Sequence, residues 1–231
     1  METKFPVELD HFFVWVQPKA PEAKILFDEL GLHRSGYGEH TGQATASEFF
    51  FFENAYLELL WIDDEEKVKE DSYRTTMRWC DRSRWRETGA SPFGVGLHRL
   101  ASAEEELALF PLRYSAEWML PETYLEVSDT SKQVTEPLYF IVPEYMAVAN
   151  VKQFSEIITT DIHPWGDKKV TSVRISLPKG EELSPIASEI SRHTAIAIEP
   201  GDSYLLELTF DRGSQGKTFD ARPTLPIVFK Y

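Results

Sequence analysis

An α+β protein built from repeated strand–helix–strand–strand–strand units is what this sequence predicts, and three observations predict it. Residues 7–62 read as a strand, a helix and three further strands; residues 93–142 repeat that order with softer boundaries; residues 169–210 begin it a third time and leave it incomplete. Similar units recurring along one chain indicate duplication of a module rather than unrelated domains. The division this implies is a first module over 1–64, a helical connector over 65–92, a second module over 93–145, and a partial third module with a closing strand over 146–231.

In the first module, Glu8 to Val16 is apolar and rich in aromatic and branched residues, which marks a strand. Pro21 suits a first helical turn, Ile25, Leu26 and Leu30 give the following segment an apolar face, and Gly31 suits the cap that ends it. Strands are expected at 32–38, 44–52 and 56–62, with a polar loop at 39–43. Residues 72–87 read as one helix, with Arg74, Arg78, Arg82 and Arg86 four apart and therefore on one face. That face is either a cup for an anionic substrate or subunit, or a solvated stripe balancing nearby acids. In the second module a strand at 93–100 precedes a helix that starts with the Ser102 and Glu105 capping-box pattern. Strands are expected there at 113–120, 123–127 and 137–142. The tail offers strands at 169–177, 195–198, 204–210 and 225–229, and a helix at 183–193.

Bulk properties narrow the function classes. Among 231 residues, 42% are hydrophobic, enough for a substantial core. A formal net charge of −14 argues against nucleic acid or an anionic membrane as partner, because phosphates need a positive field. The single cysteine, Cys80, excludes an internal disulfide and a cysteine-built zinc site. No secretory leader and no membrane-length apolar run is legible, so a cytoplasmic protein is the expectation. A glycine-rich phosphate loop and a Gly-x-Ser-x-Gly elbow are both missing.

Two strands carry an ionisable group among apolar neighbours: His11, expected to share a face with Leu9, Phe13 and Trp15, and Glu58, expected to share one with Tyr56, Leu60 and Ile62. If both faces line one surface, an imidazole and a carboxylate converge in an apolar pocket, usable for acid–base work or a divalent metal. The alternative is a buried pair in which each group satisfies the other. A strand opening Leu9-Asp10-His11, then a helix, then a strand ending Tyr56-Leu57-Glu58-Leu59, resembles the first module of the vicinal-oxygen-chelate superfamily, and within it the glyoxalase-like branch. The resemblance is strongest over 7–62 and thinner to about 210. It implies paired βαβββ modules forming an open-sided mixed-sheet barrel of the glyoxalase, bleomycin-resistance and dioxygenase kind. It also implies His11 and Glu58 as ligands of zinc, iron, manganese or nickel, Glu58 as the catalytic group, and a homodimer.

The second module departs from that pattern: Gly94 stands where His11 is matched, His98 follows four residues later, and Val142 with Glu144 nearby stands where Glu58 is matched. In the tail the match to His11 is Ser172, and Glu207 echoes Glu58. His98 is flanked by Gly94 and Gly96, which leaves room for a ligand or for close strand packing. The segment from His40 to Ser47 resembles the branch's loop and strand, which implies His40, Thr45 and Ser47 near a pocket rim. His163-Pro164-Trp165-Gly166 resembles a branch turn; Trp165 is either a stacking aromatic at the pocket mouth or part of a plain turn. Two functions remain open: a metal-dependent lyase, isomerase or dioxygenase acting on vicinal oxygens, or a metal-free protein that binds or sequesters a small apolar compound.

Overall fold

Strand β1 (Val7–Trp15) leads to helix α1 (Ala23–Leu30), then to β2 (Gly36–His40), β3 (Thr45–Phe51) and β4 (Tyr56–Ile62) in the computed structural model, which describes residues 5–70, 77–100, 107–150, 165–179 and 182–231. Helix α1 ends at Gly31, which adopts a left-handed φ of 62° and bonds back to the last helical carbonyls. Strands β2, β3 and β4 form an antiparallel meander. Strand β4 then returns beside β1 in parallel, with His11 opposite Tyr56 and Phe13 opposite Glu58.

Helices α2 (Glu65–Glu70), α3 (Trp79–Ser83) and α4 (Trp85–Thr88) connect to β5 (Phe93–Arg99), β6 (Leu112–Tyr114), β7 (Leu125–Val127) and β8 (Leu138–Ile141). The second-module helix expected from Ser102 falls largely outside the described residues, and 107–110 is irregular. Strands β1 and β5 pair antiparallel, giving one eight-stranded sheet in the order β2-β3-β4-β1-β5-β8-β7-β6. Read inward from either edge, each half runs second, third, fourth, first strand, so the two modules meet through their first strands.

That sheet is curled. Edge to edge, eight flat strands would span roughly 34 Å at about 4.8 Å per gap. Yet Tyr114 on edge strand β6 donates a 2.8 Å hydrogen bond to Gln43, in the turn between β2 and β3. Trp118 Nε1 donates to the same Gln43 oxygen at 3.1 Å. A sheet whose far edges touch has an inside and an outside. The inner face buries Phe13, Trp15, Leu60, Leu138 and Phe140 with Trp79 and Tyr114. Phe12, Val14, Leu57, Leu59, Val95 and Tyr139 cover the outer face.

A second sheet covers the outside. It comprises β9 (Val170–Pro178), β10 (Ile196–Gly201), β11 (Leu205–Phe210), β12 (Thr218–Asp220) and β13 (Ile227–Lys230), in the order β10-β9-β11-β13-β12, with helix α5 (Pro185–His193) between β9 and β10. Helix α5 starts as its sequence dictates: the Ser184 side chain accepts from Ala187 N–H, and Pro185 follows at the first helical position. This unit repeats the module only in part, since β10 pairs directly with β9 in parallel instead of lying at the far edge. Val173, Ile175, Leu206, Leu208 and Phe229 share one core with the outer face of the first sheet, and Asn54 bonds both the N–H and the carbonyl of Val170.

The arginine face expected over 72–87 does not form. Arg74 lies outside the described residues, and Arg78 takes a left-handed φ of 56°, breaking the helix before α3. Arg84 breaks it again between α3 and α4. Arg78 pairs with Asp81, Arg86 lies over Trp85, and Arg82 is fully buried. The Arg82 guanidinium donates to the carbonyls of Met77, Ser131, Gln133 and Glu136, clamping the connector to the second module. Burial pushes its pKa down to about 10.

Candidate functional site

A cavity of about 290 Å³ opens on the inner face of the curled sheet. Its walls are largely aromatic: Phe13, Tyr37, Phe49, Phe51, Tyr56, Trp79, Trp118 and Phe140, with Leu60, Leu125, Leu138 and Met146. Its polar groups are His11, His40, Gln43 and Glu58. Strand alternation places Tyr56, Glu58 and Leu60 together on this face, and the parallel pairing of β1 with β4 sets Glu58 beside His11.

His11 is held from behind. Leu9 pairs with Leu97 and His11 with Gly96, so Asp10 is the extra residue of a β-bulge. The bulge turns Leu9 to the outer core and lets Asp10 accompany His11 inward, which corrects the expectation that Leu9 and His11 share a face. Asp10 Oδ1 lies 2.7 Å from His11 Nδ1, and Asp10 Oδ2 accepts from Val148 N–H at 2.7 Å. Burial by itself would raise the Asp10 pKa, but the bond to His11, the nearby His98 and the Val148 N–H outweigh it and hold the carboxyl below its ordinary value. A carboxylate can only accept, so His11 Nδ1 carries the hydrogen and Nε2 is the nitrogen turned to Glu58. Tyr56 stacks on the imidazole at 4.3 Å between ring centres, and Phe140 meets it edge-on at 5.3 Å.

Glu58 sits between two imidazoles. Its Oε2 is 3.9 Å from His11 Nε2, and its Oε1 is 3.8 Å from His40 Nε2. Both distances exceed hydrogen-bond range. His40 belongs to β2, two strands from Glu58, and only the meander register brings it there. Burial lowers the His40 pKa despite the Glu58 charge, keeping the ring neutral. Its Nδ1 lies 2.9 Å from Thr45 Oγ1, which accepts from Gln43 Nε2 at 2.9 Å. Gln43, bonded in turn by Tyr114 and Trp118, therefore closes the barrel and fixes the His40–Thr45 pair in one network.

The other expected site residues lie elsewhere. Thr45 positions His40 without lining the cavity, and Ser47 is fully buried on the same strand, its hydroxyl without a partner among the described residues. His98 faces away from the cup: Nε2 is 2.8 Å from Glu8, and Nδ1 is 3.4 Å from Asp10 Oδ2 without hydrogen-bond geometry. The glycines flanking it leave no vacant room. A Cβ at Gly96 would lie 2.4 Å from the His11 ring, and one at Gly94 would lie 2.0 Å from the Phe13 ring. Trp165 is not at the pocket mouth; it is packed against Phe210, Phe229 and Tyr231, and its Nε1 donates to Leu30 O at 2.8 Å. His163 and Pro164 lie outside the described residues. Glu144 is exposed in a turn beyond β8, and Ser172 and Glu207 belong to the second sheet. Reading by residue type missed Asp10, Gln43, Trp79 and Trp118; Asp10 and Gln43 do lie within the quoted motifs, beside the histidine and the threonine they hold.

A family profile described as a glyoxalase-like domain matches residues 9–110. No curated protein matches the chain by sequence. Among solved structures, a hypothetical protein from Staphylococcus aureus is similar at a TM-score of 0.59 and 11% identity, covering 96% of this chain and 97% of that one. A mutant of 4-hydroxymandelate synthase from Streptomyces coelicolor reaches a TM-score of 0.49 at 10% identity, covering 89% of this chain and 71% of that one. The first likeness is one of fold and extends through the C-terminal sheet. No helix among the described residues is long and apolar enough to cross a membrane. Over residues 9–110, this chain is similar to the glyoxalase-like domain family.

Proposed function

We propose that this chain is a small-molecule-binding glyoxalase-like protein whose curled sheet holds a compact, largely apolar compound without a resident metal. The observation that carries this reading is the cavity of about 290 Å³, walled by aromatic side chains with a few convergent polar groups on one side. Concave, mostly apolar sites of that kind are where proteins bind small molecules. The test is intrinsic fluorescence, because Trp79 and Trp118 line the cavity. Saturable quenching by small aromatic compounds is expected, and Leu138→Trp, which fills the cavity, is expected to abolish it. Equal quenching in the filled variant would refute the reading.

A metal-assisted lyase, isomerase or dioxygenase is the second reading, and one observation favours it. Asp10 orients His11 so that Nε2 faces Glu58, the kind of carboxylate support that metal-binding histidines use. Such an ion would polarise an oxygen of the substrate. The facing strands do not complete the donor set, since Gly94, Gly96, Leu138 and Phe140 offer no ligand atom. No group of three His, Cys, Asp or Glu side chains among the described residues is arranged to hold a metal. His40 also faces Glu58, at 3.8 Å, but its ring is tied to Thr45 and the three groups are not arranged as ligands. Metal content after expression with mixed divalent ions separates the readings. Near-stoichiometric metal that vanishes in a His11→Ala, Glu58→Ala variant would replace the first reading with the second.

A further inference from the structure

We infer that the cup selects a cation: its ligand is a compact aromatic or aliphatic amine whose protonated nitrogen bridges Glu58 and His11. This rests on the reading of the cup as a small-molecule site. Glu58 is 6% exposed, lines the cavity, and receives no hydrogen bond from any described residue. A buried carboxylate left that way is unfavourable until something compensates it. Its Oε2 and His11 Nε2 are 3.9 Å apart, and with Nδ1 bonded to Asp10 a neutral imidazole presents Nε2 as an acceptor. One nitrogen can stand at ordinary hydrogen-bond length from both atoms, and an ammonium has the two donors this needs.

The walls point to the same charge. Tyr56, Phe49, Phe51 and Phe140 line the same cavity as the carboxylate, and aromatic faces attract organic cations. No lysine or arginine is among the described residues that line the cavity. An anionic ligand would therefore meet Glu58 with no compensating charge, and a neutral one would leave the carboxylate's charge unbalanced.

The test compares three probes of nearly equal shape on the full chain: phenethylamine, phenethyl alcohol and phenylacetate, by tryptophan fluorescence and calorimetry. Phenethylamine, protonated at neutral pH, is expected to bind roughly tenfold or more tighter than the alcohol, as a charge-assisted hydrogen bond allows, with phenylacetate weakest. Glu58→Gln is expected to erase the amine's advantage and leave binding of the alcohol. The comparison among probes on the native chain stands whether or not that variant folds. Equal or tighter binding of the alcohol or of phenylacetate would overturn the cation inference and leave the cup reading intact. Failure of all three, together with a panel of neutral aromatics, would overturn both.

Discussion

Gly96→Ala is the sharpest perturbation of the His11 environment. A methyl at this position would lie 2.4 Å from Cε1, 2.6 Å from Nδ1 and 2.9 Å from Nε2 of His11. The imidazole has little room to retreat, with Tyr56 stacked at 4.3 Å and Phe140 edge-on at 5.3 Å between ring centres. The ring must therefore swing away, and its bond to Asp10 breaks. Overpacking a core costs about 1–3 kcal/mol. Losing a hydrogen bond to a charged group adds about 1.5–3 kcal/mol. At roughly 2–4 °C per kcal/mol for a chain of this length, Tm should fall by about 5–20 °C. Thermal unfolding by circular dichroism, run on Gly96→Ala, His11→Ala and the double variant, isolates the cause. With the ring removed, the added methyl has space, so the double variant should melt no lower than His11→Ala. A Gly96→Ala protein that melts within a degree of the parent would refute the reasoning. So would a loss that persists in full in the His11→Ala background.

Three other outcomes follow from the same structure. Arg82→Ala strands the buried carbonyls of Met77, Ser131 and Glu136 and should lower stability by about 3 kcal/mol or more in urea unfolding, with Arg82→Lys recovering only part, because a lysine lacks the planar fork. Trp165→Phe should cost about 1 kcal/mol through the lost bond to Leu30 while leaving ligand affinity in the cup unchanged; altered affinity would return Trp165 to the site. The Asp10 carboxylate raises the His98 pKa above its ordinary 6.5, against burial and with Glu8 adding to the rise. That contribution is complete below 6.5 and fades as pH rises through the folded value, so the urea midpoint should decline on the alkaline side and His98→Gln should flatten the decline. The lowered Asp10 pKa acts at the other end, adding stability above 3.8 that is lost as pH falls through its folded value.

Much of the inner wall is legible in the sequence because strand alternation is a local rule. Tyr56, Glu58 and Leu60 must share a face, as must His11, Phe13 and Trp15, whatever the partner strands are. The glycine cap of α1 and the Ser184–Pro185 start of α5 are local for the same reason, since they satisfy backbone groups only a few residues away. Single residues on apolar strands, His11 and Glu58, also stand out by composition alone.

What the sequence leaves open are features defined by a partner far along the chain. The bulge that turns Asp10 toward His11 exists only relative to β5, and alternation within β1 points the carboxylate the wrong way. Gly94 and Gly96 read as vacant space until the rings of Phe13 and His11 are laid across them. A fourfold arginine spacing implies a helical face, but helix propensity is weak beside the four carbonyls that draw Arg82 into the interior. His40 reaches Glu58 through the register of three strands, and Gln43 reaches Tyr114 only because the whole sheet curls. Local pattern carries the modular repeat and the shared face of Tyr56, Glu58 and Leu60, whereas the inward turn of Asp10 needs the bulge against β5. Tertiary structure decided which inward groups meet, because contact between distant segments depends on register, curl and packing that no local pattern encodes.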